Sequence, residues 1–364
     1  MNATRLLALS CIALLGACTS DASGEDTDGG TDTDVAETGE NTASSDTAET
    51  SETNASSDPE TGGSTSGDDS TSGDPTDTDD PTGDPTDTDD PTETGSNPGD
   101  PQIPELQGEC PEFVAGTVDN PAMLEFPVGA GSRQALVYFD PAQGGGGPLV
   151  FFFHGGGGEA EQAESTVTGE AIADILANGG MVIAPIADPA ANLSWFLASG
   201  SAQNDIVMQD SMVACADAGP GIDRHRIHAI GFSAGGIHVA MASILRASYM
   251  ASTVTYSGGT YNGVTPDTEE ATASALVFHG GPSDNVGGLN FMGASDFYAG
   301  QLRDRGGYAI VCNHGTGHGY PDNEAGVWRR ADAYNFLREH PYGVSPFPYA
   351  GNFPDWVPPY CEED

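Results

Sequence analysis

The 364-residue chain contains no lysine and ten arginines, against 55 acidic residues. A formal net charge of −45 excludes nucleic acid as a partner, because holding a phosphate backbone requires a basic face. Long apolar runs are missing too. The stretch Leu6 to Ala17 in the opening "MNATRLLALSCIALLGACTS" falls well short of the ~20 residues that a membrane-spanning helix needs. Between Thr19 and Glu105 there is no basic residue at all, yet 26 of the 55 acidic ones lie there. Such a stretch cannot bury enough apolar surface to offset its chain entropy, and its like charges repel.

What is present at the start is a leader: Arg5, then the short apolar stretch, then small residues. Leu15, Gly16, Ala17 and Cys18 resemble the lipobox of bacterial lipoproteins. That resemblance implies cleavage before Cys18 and lipidation of its thiol, with the lipid as the sole membrane contact. Residues 1–17 are therefore expected to be a signal peptide, and the protein to be exported to the cell envelope, on the outer membrane or cell surface. Residues 18–105, which include "GDPTDTDDPT" twice in tandem at 73–82 and 83–92, are expected to be a disordered acidic tether. As a coil it would span roughly 50 Å, more with charge repulsion. The repeats lack the loop glycine and terminal bidentate Glu of an EF-hand, so a solvated spacer is the expectation.

Residues 106–364 suffice for one large α/β domain. Four of the six cysteines lie in it, Cys110, Cys215, Cys312 and Cys361, and in an exported protein they predict two disulfides among three connectivities. The expected pairing is Cys110 with Cys361, pinning the two ends, and Cys215 with Cys312. Apolar runs at 134–140, 148–155, 181–187, 226–233, 252–258, 273–280 and 308–314 read as strands, several apolar on both faces as a covered parallel sheet requires. The first two are close enough to suggest an antiparallel hairpin. After Ser233, Ile237, Met241, Ile244 and Leu245 form one helical stripe. A second helix is expected over 324–340, with Val327, Ala331, Tyr334 and Leu337 on one side.

The chemistry centres on "RIHAIGFSAGGIHVAMASIL": a strand, a tight turn holding Ser233, and a helix. That context turns the weak pattern G-x-S-x-G into a nucleophile elbow, with Gly231 and Gly235 where side chains would collide. A serine nucleophile needs a base and an orienting acid, in the chain order Ser, acid, His. Asp284, just past the run 273–280, is the expected acid, ahead of Asp267 and Asp296. His318, in a glycine-flanked loop, is the expected base, ahead of His314. Backbone amides of Gly155 or Gly156, in "FFFHGGGG", and of Ala234 are the expected oxyanion hole. His154 reads as structural. Trp195 and Phe196 are the candidates for an aromatic wall contacting substrate.

These motifs, with "VFHGGPSDNV" and "GTGHGYP", resemble the α/β-hydrolases over most of residues 130–342, and within them extracellular esterases of the polyhydroxybutyrate depolymerase-like and feruloyl esterase-like types. The acid loop "HGGPSD" is one residue longer than is usual there, and Gly156 stands where a cysteine or aliphatic residue is common. The resemblance implies a mostly parallel sheet of about eight strands flanked by helices with little or no cap, a Ser233–His318–Asp284 triad, and hydrolysis of polyester or aryl/acyl esters through an acyl-serine with no cofactor or metal. A monomer acting on a small or polymeric ester is expected. A peptidase of the same fold and a non-catalytic surface scaffold are the alternatives.

Overall fold

The computed structural model describes residues 99–188, 195, 202–321 and 328–364. The chain divides into two units, Met1–Thr92 and Glu93–Asp364; the leader, Cys18 and the acidic segment up to residue 98 lie outside the described residues.

The second unit is a three-layer α/β domain. Its strands are β1 (Ala122–Val128), β2 (Gly131–Phe139), β3 (Leu149–Phe153), β4 (Met181–Pro185), β5 (Ile227–Phe232), β6 (Ser252–Tyr256), β7 (Ser274–His279), a small pair β8 (Asn285–Val286) and β9 (Leu289–Asn290), then β10 (Ala309–Asn313) and β11 (Cys361–Glu363). The helices are α1 (Gly169–Ala177), α2 (Ala202–Ala218), α3 (Ala234–Leu245), α4 (Phe291–Arg303) and α5 (Asp332–Glu339). Nine strands form the main sheet in the order β1-β2-β4-β3-β5-β6-β7-β10-β11. From β4 to β10 neighbours run parallel, while β1, β2 and β11 pair antiparallel with theirs.

The central strands are buried on both faces, which is why their sequences are apolar without alternation. In β3, Val150 and Phe152 pack towards Ile172 and Ile175 of α1 and Phe336 and Leu337 of α5. Leu149, Phe151 and Phe153 point the other way, towards Met208 and Met212 of α2 and Val239 of α3.

Four expectations need correction. β2 forms no hairpin with β3: its antiparallel partners are β1, upstream, and β4, because a parallel sheet fills the place beside it with β4. The helix after Ser233 is buried on nearly every side rather than along one stripe; Ile237 and Ile244 are buried, while Met241 and Leu245 are half-buried. The later helix begins at Asp332; Val327 lies outside the described residues. The disulfides join Cys110 to Cys215 and Cys312 to Cys361. The arm carrying Cys110 lies in the same cluster as α2, whereas Cys361 adds to the opposite edge of the sheet, in register with Cys312 of β10. The two ends of the domain are thus on different sides of it.

Three histidines, His228, His238 and His340, are sealed in this core, and the first two are the most strongly perturbed. His228 of β5 shares a hydrogen bond of 2.9 Å with Ser252 Oγ, and His238 of α3 meets Gln209 Oε1 at 3.1 Å. Burial pushes both down to about 3. Between that value and the ordinary ~6.5 the unfolded chain takes up protons that the folded one refuses, so falling pH favours unfolding. Each histidine should therefore remove about 1.4 kcal/mol of stability per pH unit below about pH 6. Calorimetric unfolding at pH 5 in two buffers of different ionisation enthalpy is expected to show uptake of at least two protons, one each from His228 and His238 with His340 adding to them; an uptake of less than one proton would refute their burial as neutral groups.

Candidate active site

The turn from β5 into α3 places Ser233 with φ +52° and ψ −115°, a conformation that costs a non-glycine residue of order 1 kcal/mol. Its neighbours hold it there. A Cβ on Gly235 would lie 2.0 Å from Phe153 O, and one on Gly231 would lie 2.4 Å from Gly235 O. The Ser233 amide donates to Tyr256 O at 2.9 Å, tying the elbow to β6. The side chain is left at the C-terminal ends of the parallel strands, where open α/β sheets place their sites.

Two further loops converge on it. The loop after β7 brings Asp284, fully buried, and the loop after β10 brings His318. Both loops pack backbone to backbone: Gly317 N donates to Gly280 O at 3.0 Å, and a Cβ on Gly280 would lie 1.8 Å from Gly317 O. His318 Nε2 is 2.9 Å from Ser233 Oγ, and its Nδ1 is 2.8 Å from Asp284 Oδ1. The competing residues are elsewhere. His314 pairs with Thr316 Oγ1 at 2.6 Å, Asp267 holds Ser248, and Asp296 lies 3.7 Å from His279.

Burial alone would raise the Asp284 carboxyl, but His318, the Gly280 amide and the Ser257 hydroxyl outweigh it and hold the group below its ordinary value. It is an anion able to keep His318 in the tautomer with its proton on Nδ1, leaving Nε2 to accept from Ser233.

Gly155 and Gly156 lie against the elbow. A Cβ on Gly155 would sit 3.4 Å from Ser233 Cβ, and one on Gly156 would sit 3.9 Å from Ala234 Cβ. The amides of Gly155, Gly156 and Ala234 donate to no acceptor among the described residues, and Ala234 opens α3, whose dipole favours negative charge there. His154 is buried and donates from Nδ1 to Gly155 O at 2.8 Å. Burial lowers its basicity, so it stays neutral at neutral pH. Trp195 is 3% exposed, its indole N–H on His154 O at 2.7 Å and its ring edge-on to Phe153 at 5.0 Å. This corrects the expectation of an aromatic wall at Trp195: the side chain supports the glycine loop from inside, because its N–H finds its acceptor in that loop's backbone. Phe196 lies outside the described residues. Among those residues, no group of His, Cys, Asp and Glu is placed to hold a metal ion.

One participant escaped the sequence reading. Ser257, at the end of β6 with φ +46°, is buried and donates to Asp284 Oδ2 at 2.9 Å. The Gly280 amide donates to the same oxygen at 2.8 Å. Nothing in "STVTYSGG" marks Ser257, since the feature that matters is where β6 ends relative to β7. We expect Ser257→Ala to slow labelling of Ser233 by a fluorophosphonate about tenfold, one neutral donor to an anion being worth about 1.5–3 kcal/mol before relaxation. An unchanged labelling rate would show that Gly280 alone suffices to orient the carboxylate.

Strand order, an antiparallel second strand, and a serine between the fifth strand and the following helix together decide the architecture. The chain has the α/β-hydrolase fold. Solved structures agree. Native pOPH superposes with a TM-score of 0.53 at 19% identity, over 70% of this chain and 96% of that one. Native sOPH gives 0.52 at 18%, over 71% and 97%, and a pOPH variant in complex with pNPB gives 0.53 at 17%, over 71% and 96%. No protein-family model matches the sequence, and a search of curated proteins returns no match. Within the α/β-hydrolase fold, the positions of Ser233, Asp284 and His318 follow strands β5, β7 and β10 respectively.

Proposed function

We propose that the protein is a serine hydrolase of carboxylic esters working through an acyl-serine intermediate. One observation carries this: Asp284, His318 and Ser233 form a continuous relay at 2.8 and 2.9 Å, beside the amides of Gly155, Gly156 and Ala234, which have no acceptor among the described residues. In the forward half, His318 Nε2 takes the Ser233 proton as Oγ attacks the carbonyl carbon. The amides receive the oxyanion, and His318 returns the proton to the departing alcohol. In the second half, water bound in the alcohol's place loses a proton to His318, attacks the acyl carbon and frees Ser233. Asp284 stabilises the imidazolium in both halves and does not itself take the proton.

The motif resemblance supports a polyester or aryl/acyl ester as substrate. The lipobox-like Leu15–Cys18 and the acidic segment support a surface-anchored lipoprotein, testable by metabolic labelling with a fatty-acid probe. The hydrolase itself is tested by turnover of p-nitrophenyl esters from C2 to C12 and of methyl ferulate, together with mass spectrometric location of a fluorophosphonate label. Turnover with the label on Ser233 is the expected result. A folded protein that neither turns over nor takes the label would be a scaffold.

A further inference from the structure

The loop that follows β6 holds a large ring in the open. Tyr261 is 39% exposed, although the loop beneath it is tightly fixed. Thr260 N donates to Ala294 O at 3.1 Å, Thr260 Oγ1 donates to Gln301 Oε1 at 2.7 Å, and Ser295 Oγ donates to Gly258 O at 3.0 Å. Gly259 has φ +115°, and a Cβ on it would sit 2.2 Å from Ala294 O. All these anchors lie on α4 or on the loop's own backbone, and they fix the chain that leads into Tyr261. Its edge meets Phe291 at 6.4 Å and an interplanar angle of 71°. Phe291 in turn lies 4.5 Å from the His318 imidazole. The Tyr261 phenol is pushed up to about 12, first by burial and then by the charge of Asp284, which places it within the electrostatic reach of the relay.

Chemistry assigns a meaning to the surroundings of the imidazole. If the protein is the ester hydrolase proposed above, His318 must deliver its proton to the alcohol oxygen as the C–O bond breaks. The alcohol portion therefore lies beside His318, while the carbonyl oxygen lies towards Gly155, Gly156 and Ala234. We propose that Tyr261, backed by Phe291, is the wall that receives the alcohol portion of the substrate, and that the preferred esters carry an aromatic alcohol. A half-open ring on an anchored loop suits that task. It offers flat apolar area with only two side-chain torsions to order on binding, and an aromatic group stacks on it without needing a hydrogen bond.

Because acetates of different alcohols share one acyl-enzyme, alcohol preference appears only in the acylation half of the cycle. The test measures kcat/KM of the full chain, of Tyr261→Ala and of Tyr261→Phe on three esters: ethyl acetate, benzyl acetate and ethyl phenylacetate. For Tyr261→Ala we expect benzyl acetate to lose about fivefold to tenfold, ethyl acetate and ethyl phenylacetate to change less than about twofold, and Tyr261→Phe to keep the wild-type pattern. Equal losses on all three esters, or a loss greatest on ethyl phenylacetate, would overturn the assignment while leaving the hydrolase intact. A wild-type protein that takes a fluorophosphonate label on Ser233 yet is inactive on benzyl acetate would overturn this inference alone, and one that is inactive on all three and takes no label would overturn the hydrolase reading with it.

Discussion

Replacing Ser233 by alanine is expected to lower ester turnover by about 10⁵-fold or more, with no comparable change in stability. The size follows from the unit character of the relay: without Oγ neither His318 nor Asp284 has anything to activate, and what remains is polarisation by the amides of Gly155, Gly156 and Ala234. The fold should be indifferent. Ala and Ser meet the same backbone penalty at φ +52°, and among the described residues Ser233 Oγ makes no hydrogen bond other than the one to His318. The measurement is single-turnover acylation by a p-nitrophenyl ester alongside thermal unfolding. Activity within tenfold of the parent, with the protein folded, would remove Ser233 from the mechanism.

Asp284→Asn is expected to lower kcat about 10⁴-fold, although only one atom changes identity. The reason lies in which groups surround the carboxylate. Oδ2 accepts from both Ser257 Oγ and Gly280 N, so an asparagine keeps those bonds only by turning its oxygen towards them. Its NH₂ then faces His318 Nδ1, at present 2.8 Å from Oδ1. Two donors cannot share that contact, so the imidazole must move its proton to Nε2, the atom that has to accept from Ser233. The opposite orientation of the amide sets its NH₂ against two other donors. Either way one conflict sits in a buried pocket. Loss of kcat with near-normal KM, and slow labelling by a fluorophosphonate, are the expected signatures. A drop smaller than tenfold would mean that Asp284 does not fix the tautomer.

The elbow was legible in the sequence because several local signals coincide there: an apolar run, glycines on both sides of Ser233, then a helical period. Asp284 and His318 were legible for a similar reason, each lying just beyond a run that can only be a strand. What failed was adjacency. Periodicity identifies elements without saying which lie side by side, so it points β2 to the next apolar run along the chain, whereas its hairpin partner is β1. β1 carries no strand signal of its own because Glu125 and Pro127 interrupt its apolar residues; a proline is tolerated there since β1 lies at the sheet's edge. The disulfide pairing failed likewise, since it depends on which edge Cys361 reaches. Trp195 shows a different limit: a tryptophan near a strand end suits a wall and a buried support equally well, and only the direction of its N–H separates them.

The short strand β11 has a bearing on solubility. Without it, β10 would offer a row of free backbone donors and acceptors at the edge of the parallel sheet, the kind of border along which chains join to one another. Cys361–Glu363 occupies that border in register with β10, and a covalent bond to Cys312 keeps it from peeling off. The new border is only three residues long and carries Glu362 and Glu363, with Asp364 next to them. Asp364 is tied back to Arg303 at 2.8 Å and Glu363 accepts from the Gly351 amide at 2.8 Å, so the border is short, pinned by its own side chains and acidic at Glu362, and a second molecule finds there little that could serve as a template for polymerisation.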